Sequence, residues 1–207
     1  MQASLFEDAA DPNHYIDHDL GDASIREYPA AFSQEISNSY LHQLQENIRW
    51  RQDTLWIAGR EVAVPRLQCW MGDHGSVYGY SGMRLQPSRW NDSVLAIRER
   101  VEGLSGHRFN SVLLNYYRTG QDSVAWHADD EPELGPEPII ASVSFGVERR
   151  FQLKHKHQEK PTRSQLTLRN GSILIMGRTL QNHWMHQLPK VKGLELPRIN
   201  LTFRTIV

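Results

Sequence analysis

The hydrophobic positions of the chain follow a helical period in its first half and mainly a strand period in its second half. Residues 33–50 carry apolar side chains at every fourth position from Ile36 to Ile48, which predicts an amphipathic helix with Ser33 as its cap. A second stripe of the same kind predicts a helix over residues 87–104. The pattern therefore predicts two helices ahead of a long region without helical periodicity.

Short runs of alternating or continuous apolar residues predict strands elsewhere in the chain. These runs lie near residues 65–70, 109–117, 139–145, 150–155, 164–169, 171–176, 184–188 and 198–206. Many short strands behind only two helices predict a mainly β chain with flanking helices, an α+β arrangement of the sandwich, jelly-roll or barrel type. A parallel α/β fold is disfavoured because no helices alternate with the late strands.

The length of 207 residues and a hydrophobic content of 39% predict one globular domain. Residues 1–30 are rich in Asp and Glu, so we expect an acidic tail and a loosely packed lead-in there. Residues 31–207 then form a single domain, with the helices in 31–108 and the β core in 109–207. The net charge of −1 gives no overall signal for a nucleic-acid partner.

Cysteine content and hydropathy bear on the location of the protein. A single cysteine, Cys69, excludes an internal disulfide and fits a reducing compartment. No apolar run reaches the length needed to cross a membrane, and the acidic N-terminus does not resemble a signal peptide. We therefore expect a cytoplasmic protein without a membrane partner.

The final strand has two chemically different faces. With a period of two, Ile199, Leu201 and Phe203 share one face. The other face carries four polar side chains: Arg198, Asn200, Thr202 and Arg204. A polar face usually points to solvent, but two arginines with an amide and a hydroxyl between them can also bind a dicarboxylate.

A second polar pattern is typical of a metal site. His127 and Asp129 are two residues apart on an extended segment, so an imidazole and a carboxylate can reach one ion. A third ligand can come from His183 or His186, and the spacing does not choose between them. Two histidines and one carboxylate form the facial triad of non-haem Fe(II) oxygenases.

An iron site beside a dicarboxylate clamp is what a 2-oxoglutarate-dependent oxygenase requires. The keto-acid end of the co-substrate chelates iron, and a buried arginine neutralises its far carboxylate. A metal-binding jelly-roll module without catalysis is an alternative, but it needs no paired arginines. A zinc hydrolase is another, although the clamp then has no role.

The chain resembles the AlkB family of Fe(II)- and 2-oxoglutarate-dependent dioxygenases that dealkylate nucleic acids. Separate motifs over residues 55–207 carry the resemblance: Pro65-Arg66, Tyr78-Gly-Tyr80-Ser-Gly82, Asn115-Tyr-Tyr117, His127-Ala-Asp129-Asp-Glu131, Ser142-Val-Ser-Phe-Gly146, Trp184-Met-His186 and Arg198-Ile-Asn-Leu-Thr-Phe-Arg204. The resemblance implies a double-stranded β-helix, which is a jelly roll, and a nucleotide-recognition region within residues 31–108.

Family positions also imply roles for individual residues. The catalytic iron ligands are His127, Asp129 and His186, with His186 preferred over His183 because it occupies the Trp-x-His position. Six residues then line the 2-oxoglutarate site: Asn115, Tyr117, Arg198, Asn200, Thr202 and Arg204. The sequence leaves open which arginine binds which carboxylate. The implied substrate-binding residues are Tyr78, Tyr80, Asp130, Glu131 and Arg66.

The chemistry implied by the family is oxidative repair of DNA with Fe(II), 2-oxoglutarate and dioxygen. An N-methyl group of a base such as 1-methyladenine or 3-methylcytosine is hydroxylated, and the product releases formaldehyde. The same chemistry on RNA is an alternative, since no reader of the 2′-hydroxyl is visible. We expect a monomer that acts on single- or double-stranded DNA, in the nucleoid if the source is bacterial.

Two further sequence features concern DNA and a protein partner. Duplex-preferring homologues carry an aromatic wedge where this chain has Ala58, so we expect single strands to be repaired at least as well as duplex. Trp56 or Ile57 could replace that wedge. Residues 2–6, Gln2-Ala-Ser-Leu-Phe6, resemble peptides that dock on the bacterial sliding clamp, which predicts a possible clamp contact.

Overall fold

A computed structural model describes most of the chain. The described residues are 11–57, 59–73, 78–80, 83–85, 87–157, 162–177 and 179–207, and for residues 57, 78–80 and 83–85 only the backbone is described. The predicted clamp peptide Gln2–Phe6 and the predicted wedge position Ala58 lie outside the described residues. Within them, no helix is both long and apolar enough to cross a membrane.

The described elements are short strands with a few helices. The helices are α1 (Gln34–Asn47), α2 (Asp92–Ser105), α3 (Leu180–His183) and a 3-10 turn at Pro132–Leu134. The strands before α2 are β1 (Ile16–Asp19), β2 (Ser24–Tyr28), β3 (Thr54–Ile57), β4 (Arg60–Ala63), β5 (Leu67–Gly72), β6 (Tyr78–Tyr80) and β7 (Met83–Leu85). The strands after it are β8 (Ser111–Tyr117), β9 (Val124–His127), β10 (Ile140–Gly146), β11 (Arg149–His155), β12 (Arg163–Leu168), β13 (Ser172–Met176), β14 (Trp184–Leu188) and β15 (Arg198–Arg204).

Two antiparallel sheets face each other across a buried core. The large sheet has the order β1-β2-β13-β10-β15-β8-β5, and the small sheet has the order β12-β11-β14-β9. Apolar side chains from both sheets, such as Leu113 and Leu174 of the large one and Leu153 and Trp184 of the small one, pack in a single cluster. This arrangement confirms the predicted jelly roll with flanking helices.

The helices cover the outer face of the large sheet. Leu44 of α1 and Ile97 of α2 are fully buried in one cluster with Val143, Leu201 and Phe203 of β10 and β15. Both faces of β15 are therefore covered, because its apolar face packs under the helices while its polar face points between the sheets. Every residue of β15 is buried, which rules out a solvent-facing role for its polar side chains.

The predicted helix ends are partly correct. The side chain of Ser33 accepts a hydrogen bond from the backbone N–H of Ile36, as predicted, although the Ile36 side chain is 48% exposed. The second helix begins at Asp92, with Asn91 as its cap. The prediction of a start at residue 87 is wrong because the Ser88 N–H donates to the Trp70 carbonyl, which holds this segment against β5.

The prediction of a loosely packed lead-in is wrong for β2, where three of five residues are buried. β1 and β2 extend the large sheet, where Ile25 pairs with Met176 and is fully buried. Two of the acidic residues that suggested a solvated tail form ion pairs: Asp17 with Arg26 on the neighbouring strand, and the buried Glu27 with the distant Arg169. A charge count along the chain does not show such pairs.

The division at residue 108 also does not separate two structural regions. β5 pairs with β8 along its whole length, so residues 67–72 belong to the large sheet and not to a separate recognition region. The first three residues of the Tyr78–Gly82 motif form β6, which pairs with β7. A hairpin of β3 and β4 precedes β5.

Candidate metal centre and co-substrate pocket

The small sheet brings the three predicted metal ligands together. His127 of β9 and His186 of β14 are cross-strand neighbours, and Asp129 follows β9 directly. One ligand atom from each residue lies within 4.8 Å of the others, and the His186 Nε2 to Asp129 Oδ2 distance is 3.9 Å. These distances suit a shared ion, because each protein ligand lies about 2 Å from a bound transition metal.

Hydrogen bonds and burial prepare the three groups for this role. The Nδ1 atom of His127 lies 2.8 Å from the Ala125 carbonyl oxygen, so Nδ1 carries the proton and Nε2 is the ligand atom. Burial and the neighbouring His127 lower the pKa of His186 to about 3, so His186 is neutral at physiological pH. A neutral imidazole is the form that binds a metal.

Asp129 is held in its charged form by an arginine from the large sheet. Burial by itself raises the pKa of Asp129, but the Arg204 guanidinium outweighs this effect and holds the pKa below its ordinary value. Arg204 donates a hydrogen bond to Asp129 Oδ1, and both side chains are almost fully buried. The metal candidate is therefore connected directly to the polar face of β15.

A cavity between the sheets joins this centre to the predicted 2-oxoglutarate residues. The three metal candidates line this cavity together with all six of the predicted 2-oxoglutarate residues. These six are Asn115, Tyr117, Arg198, Asn200, Thr202 and Arg204. They come together because β8 and β15 pair with Asn115 opposite Asn200 and Tyr117 opposite Arg198. The structure thus places the predicted clamp and the predicted metal centre in one site.

The charges around the cavity favour an anion. Among the described lining residues, three arginines (Arg66, Arg198 and Arg204) face a single carboxylate, Asp129. A divalent cation at the histidines would add two more positive charges. A dicarboxylate that contacts both the metal and the arginines would offset this excess in a site with little water.

The two arginines of β15 lie at different ends of the cavity. Arg204 contacts the metal candidate Asp129, whereas Arg198 donates to Ser144 Oγ at 2.9 Å and lies over the Tyr117 ring. Burial lowers the pKa of Arg198 to about 10, so the guanidinium stays charged at neutral pH. This placement assigns Arg198 to the end of the cavity away from the metal.

Arg66, predicted to bind substrate, lies in the wall of the cavity beside Asn115. It is 5% exposed, and its Nε donates to Asn115 Oδ1 at 2.8 Å while Nη1 donates to the Ser123 carbonyl at 3.2 Å. The predicted role of Arg66 in substrate binding stays a prediction. Because β5 pairs with β8, Arg66 enters the cavity beside Asn115 and orients this amide within the co-substrate pocket.

The other predicted substrate-binding residues are placed only in part. Asp130 is exposed and forms an ion pair with Lys156 at 2.8 Å, and Glu131 is half-buried beside it, just before the 3-10 turn. The side chains of Tyr78 and Tyr80 lie outside the described residues, although their backbone forms β6. The base contacts of these four residues stay predictions.

His183, the alternative ligand, is turned away from the metal candidates. Its Nδ1 lies 3.1 Å from Asp22 Oδ2, and the same carboxylate oxygen lies 2.9 Å from His155 Nε2. Asp22 Oδ1 also accepts a hydrogen bond from Trp184 Nε1 at 2.8 Å. His183 therefore binds the turn between β1 and β2, and His186 is the third member of the metal centre.

Two residues that the sequence did not single out hold the metal-binding loop in place. Gln181 is fully buried, and its Oε1 accepts from the Asp129 backbone N–H at 2.9 Å. Lys156 Nζ donates to the Gln181 carbonyl at 2.6 Å and to Asp130 Oδ2 at 2.8 Å. Gln181 lies 52 residues from Asp129 along the chain, so no local motif indicates the contact.

The comparisons with known proteins agree with this site. The family described as "2OG-Fe(II) oxygenase superfamily" matches residues 24–204. The chain is 37% identical to human alpha-ketoglutarate-dependent dioxygenase alkB homolog 3, over 86% of this chain and 65% of that protein. It is 38% identical to human DNA oxidative demethylase ALKBH2, over 87% of this chain and 72% of that protein. The Arabidopsis thaliana ALKBH2 demethylase is 37% identical, over 91% of this chain and 68% of that protein.

A jelly roll with a His-Asp-His group beside an arginine-lined cavity defines the class of 2OG-Fe(II) oxygenases. The extent of the matches is decisive for the family, since the superfamily match runs from β2 to the end of β15. The chain belongs to the AlkB family of this superfamily.

The role of Gln181 can be tested by metal binding. Gln181→Leu keeps a similar volume but removes the acceptor of the Asp129 N–H, so we expect Mn(II) affinity to fall by about 10- to 100-fold. Calorimetric titration of the metal measures this change, and Gln121→Leu, at an exposed position, is the matched control. Equal Mn(II) affinity of the Gln181 variant and the control would show that Gln181 does not position the ligand.

Proposed function

We propose that this chain is an Fe(II)- and 2-oxoglutarate-dependent dioxygenase that removes methyl groups from N-alkylated bases in DNA. The observation that carries the proposal is the single cavity that joins the His-Asp-His group to three buried arginines. The family membership supports the chemistry, and the name DNA oxidative demethylase, given to ALKBH2 relatives, supports the substrate.

His127, Asp129 and His186 would hold the Fe(II) ion. When bound, the iron would activate dioxygen: 2-oxoglutarate would supply two electrons as it is oxidised to succinate and carbon dioxide, and the substrate C–H bond would supply the other two. The residues fit this ion because one buried carboxylate is kept charged and His186 is kept neutral. Of the three ligands, His127 is the most exposed, as a residue that contacts an incoming base requires.

The protein would bind the two ends of 2-oxoglutarate with different arginines. Arg198, buttressed by Ser144 Oγ, binds the carboxylate far from the metal. Arg204, already hydrogen-bonded to Asp129, lies beside the carboxylate at the metal end. Between them, Asn200 is fixed by Ser142 Oγ at 2.8 Å and in turn accepts from Thr202 Oγ1 at 2.9 Å, so the floor of the pocket is rigid before the co-substrate binds.

On the substrate side, Tyr80 and the ring of His127 would stack on the two faces of the flipped base. Tyr78 and Glu131 would make polar contacts near the base, and Asp130 would support them. One oxygen atom enters a C–H bond of the N-methyl group, and the resulting hydroxymethyl amine breaks its C–N bond. The electron pair of this bond stays on the ring nitrogen, formaldehyde leaves, and the hydroxyl proton is released to solvent, so N1 of adenine or N3 of cytosine is again an acceptor for base pairing.

The alternative functions account for fewer of the observed features. A non-catalytic metal-binding module or a zinc hydrolase gives no role to the buried Arg198, which is costly to bury without an anion. RNA is a second candidate substrate for the same chemistry, and matched DNA and RNA oligonucleotides distinguish the two. The cytoplasmic location, the monomeric state and the sliding-clamp contact through Gln2–Phe6 stay predictions.

Formaldehyde release from an oligonucleotide that contains 1-methyladenine tests the proposal. We expect release only with both Fe(II) and 2-oxoglutarate, and a loss of at least about 100-fold in Asp129→Asn, since the metal loses its anionic ligand. Asparagine leaves an oxygen for Arg204 and so avoids an unpaired buried cation. Asp11→Asn, at an exposed position, is the control. Full activity of the Asp129 variant, or formaldehyde release without 2-oxoglutarate, would refute the proposed function.

The hairpin of β3 and β4 gives a prediction about the DNA strand. Trp56 on this hairpin is 77% exposed, which suits an aromatic side chain that fills the gap left by a flipped base. We expect wild type to repair single strands at least as fast as duplex, and Trp56→Ala to slow only duplex repair. Initial rates on matched single- and double-stranded substrates measure both effects. A strong duplex preference of wild type would contradict the prediction.

A further inference from the structure

We propose that the outer face of the small sheet binds single-stranded DNA next to the nucleotide under repair. This inference rests on the proposed function. The surface, called the outer patch below, consists of Trp126, Arg150, Gln152, Lys154, Arg163 and Gln165. These residues lie on β9, β11 and β12, and they are half-buried or exposed.

The strand register arranges the outer patch as a flat array. On β11, Leu153 is fully buried in the core, so Gln152 and Lys154 on either side of it point outward. Lys154 lies directly opposite Arg163 of β12, and Gln152 lies opposite Gln165. A pair of cations and a pair of amides thus lie side by side across two strands. The cations suit phosphate groups, and the amides suit the polar edges of bases.

The outer patch is positively charged although the whole chain carries a net charge of −1. Within the part of the chain that the structure describes, no carboxylate forms an ion pair with Arg150, Lys154 or Arg163. Lys156, two residues further along, is by contrast paired with Asp130. The free cations of the outer patch are complementary to phosphate groups.

An aromatic ring lies among these cations. The Lys154 ammonium is 4.6 Å from the centre of the Trp126 ring, and Trp126, Arg163 and Gln165 line an open cavity of about 210 Å³. An indole plane beside cations and amides can stack on a base while its phosphate is neutralised. Duplex DNA hides its base faces within the stack, so this combination favours a single strand.

The outer patch and the metal centre share neighbouring residues of β9. Trp126 belongs to the outer patch, while the next residue, His127, lines the cavity between the sheets. Both lie on β9, which is an edge strand of the small sheet as described. A DNA strand whose modified base lies against His127 therefore passes the edge of β9, and its neighbouring nucleotides reach Trp126 and Lys154.

Binding of single-stranded DNA at several salt concentrations tests the inference. The probe is a fluorescein-labelled, unmodified 15-nucleotide strand, measured by fluorescence anisotropy with the full chain. Lys154→Gln/Arg163→Gln removes two phosphate contacts, so the slope of log K against log salt should become shallower by about 1.4. Arg26→Gln/Arg108→Gln removes the same charge elsewhere and should leave the slope unchanged.

Trp126→Leu should raise the Kd at least about fivefold, whereas Trp126→Phe should restore most of the affinity.

Turnover on short and long substrates separates this inference from the proposed function. The KM of wild type should be lower for a methylated 15-nucleotide strand than for a methylated trinucleotide, and the Lys154/Arg163 variant should lose that difference. If wild type releases no formaldehyde from either strand, the proposed function fails. If it does, but the Lys154/Arg163 variant has the slope and KM values of the control variant, the outer patch is not the DNA path. If the Lys154/Arg163 variant shows the same change in salt slope with duplex DNA as with single strands, the outer patch is not specific for single strands.

Discussion

The buried ion pair between Arg204 and Asp129 connects the two sheets at the point where the chemistry occurs. Asp129 follows the edge strand of the small sheet, and Arg204 ends the last strand of the large one. A buried carboxylate without a partner would take up a proton and lose its value as a metal ligand. Arg204 prevents this, because its charge holds the pKa of Asp129 below the ordinary value in spite of burial.

The same constraint explains why the polar face of β15 is buried. A strand between two layers normally carries apolar side chains on both faces, yet β15 presents Arg198, Asn200, Thr202 and Arg204 to the interior. Arg198 and Asn200 are hydrogen-bonded to Ser144 and Ser142 of the adjacent β10. Thr202 donates to Asn200, and Arg204 donates to Asp129. The resulting pocket is positively charged and pre-organised, and a dicarboxylate bound to a metal ion is the ligand that it fits.

The sequence predicted those features that depend on local periodicity. Alternation along residues 198–204 separated the core side chains from the pocket side chains, and the His-x-Asp spacing placed two ligands on one segment. The contribution of β2 was missed because its partner, β13, lies about 150 residues away in the chain. Gln181 and the placement of Arg66 beside Asn115 were missed for the same reason, since both depend on contacts between distant strands. The choice of His186 over His183 came from the family motif, and its physical cause, the contact of His183 with Asp22, appears only in the folded chain.

The central claim is that metal and arginines together form one 2-oxoglutarate site. Calorimetric titration of 2-oxoglutarate into the Mn(II)-loaded protein, the metal-free protein and the Mn(II)-loaded Arg198→Gln variant tests it most directly. The account predicts tight binding only to the Mn(II)-loaded wild type, with a loss of at least about 30-fold in the variant, while the Mn(II) affinity itself is unchanged. Equal affinity for 2-oxoglutarate with and without Arg198, or with and without metal, would contradict it.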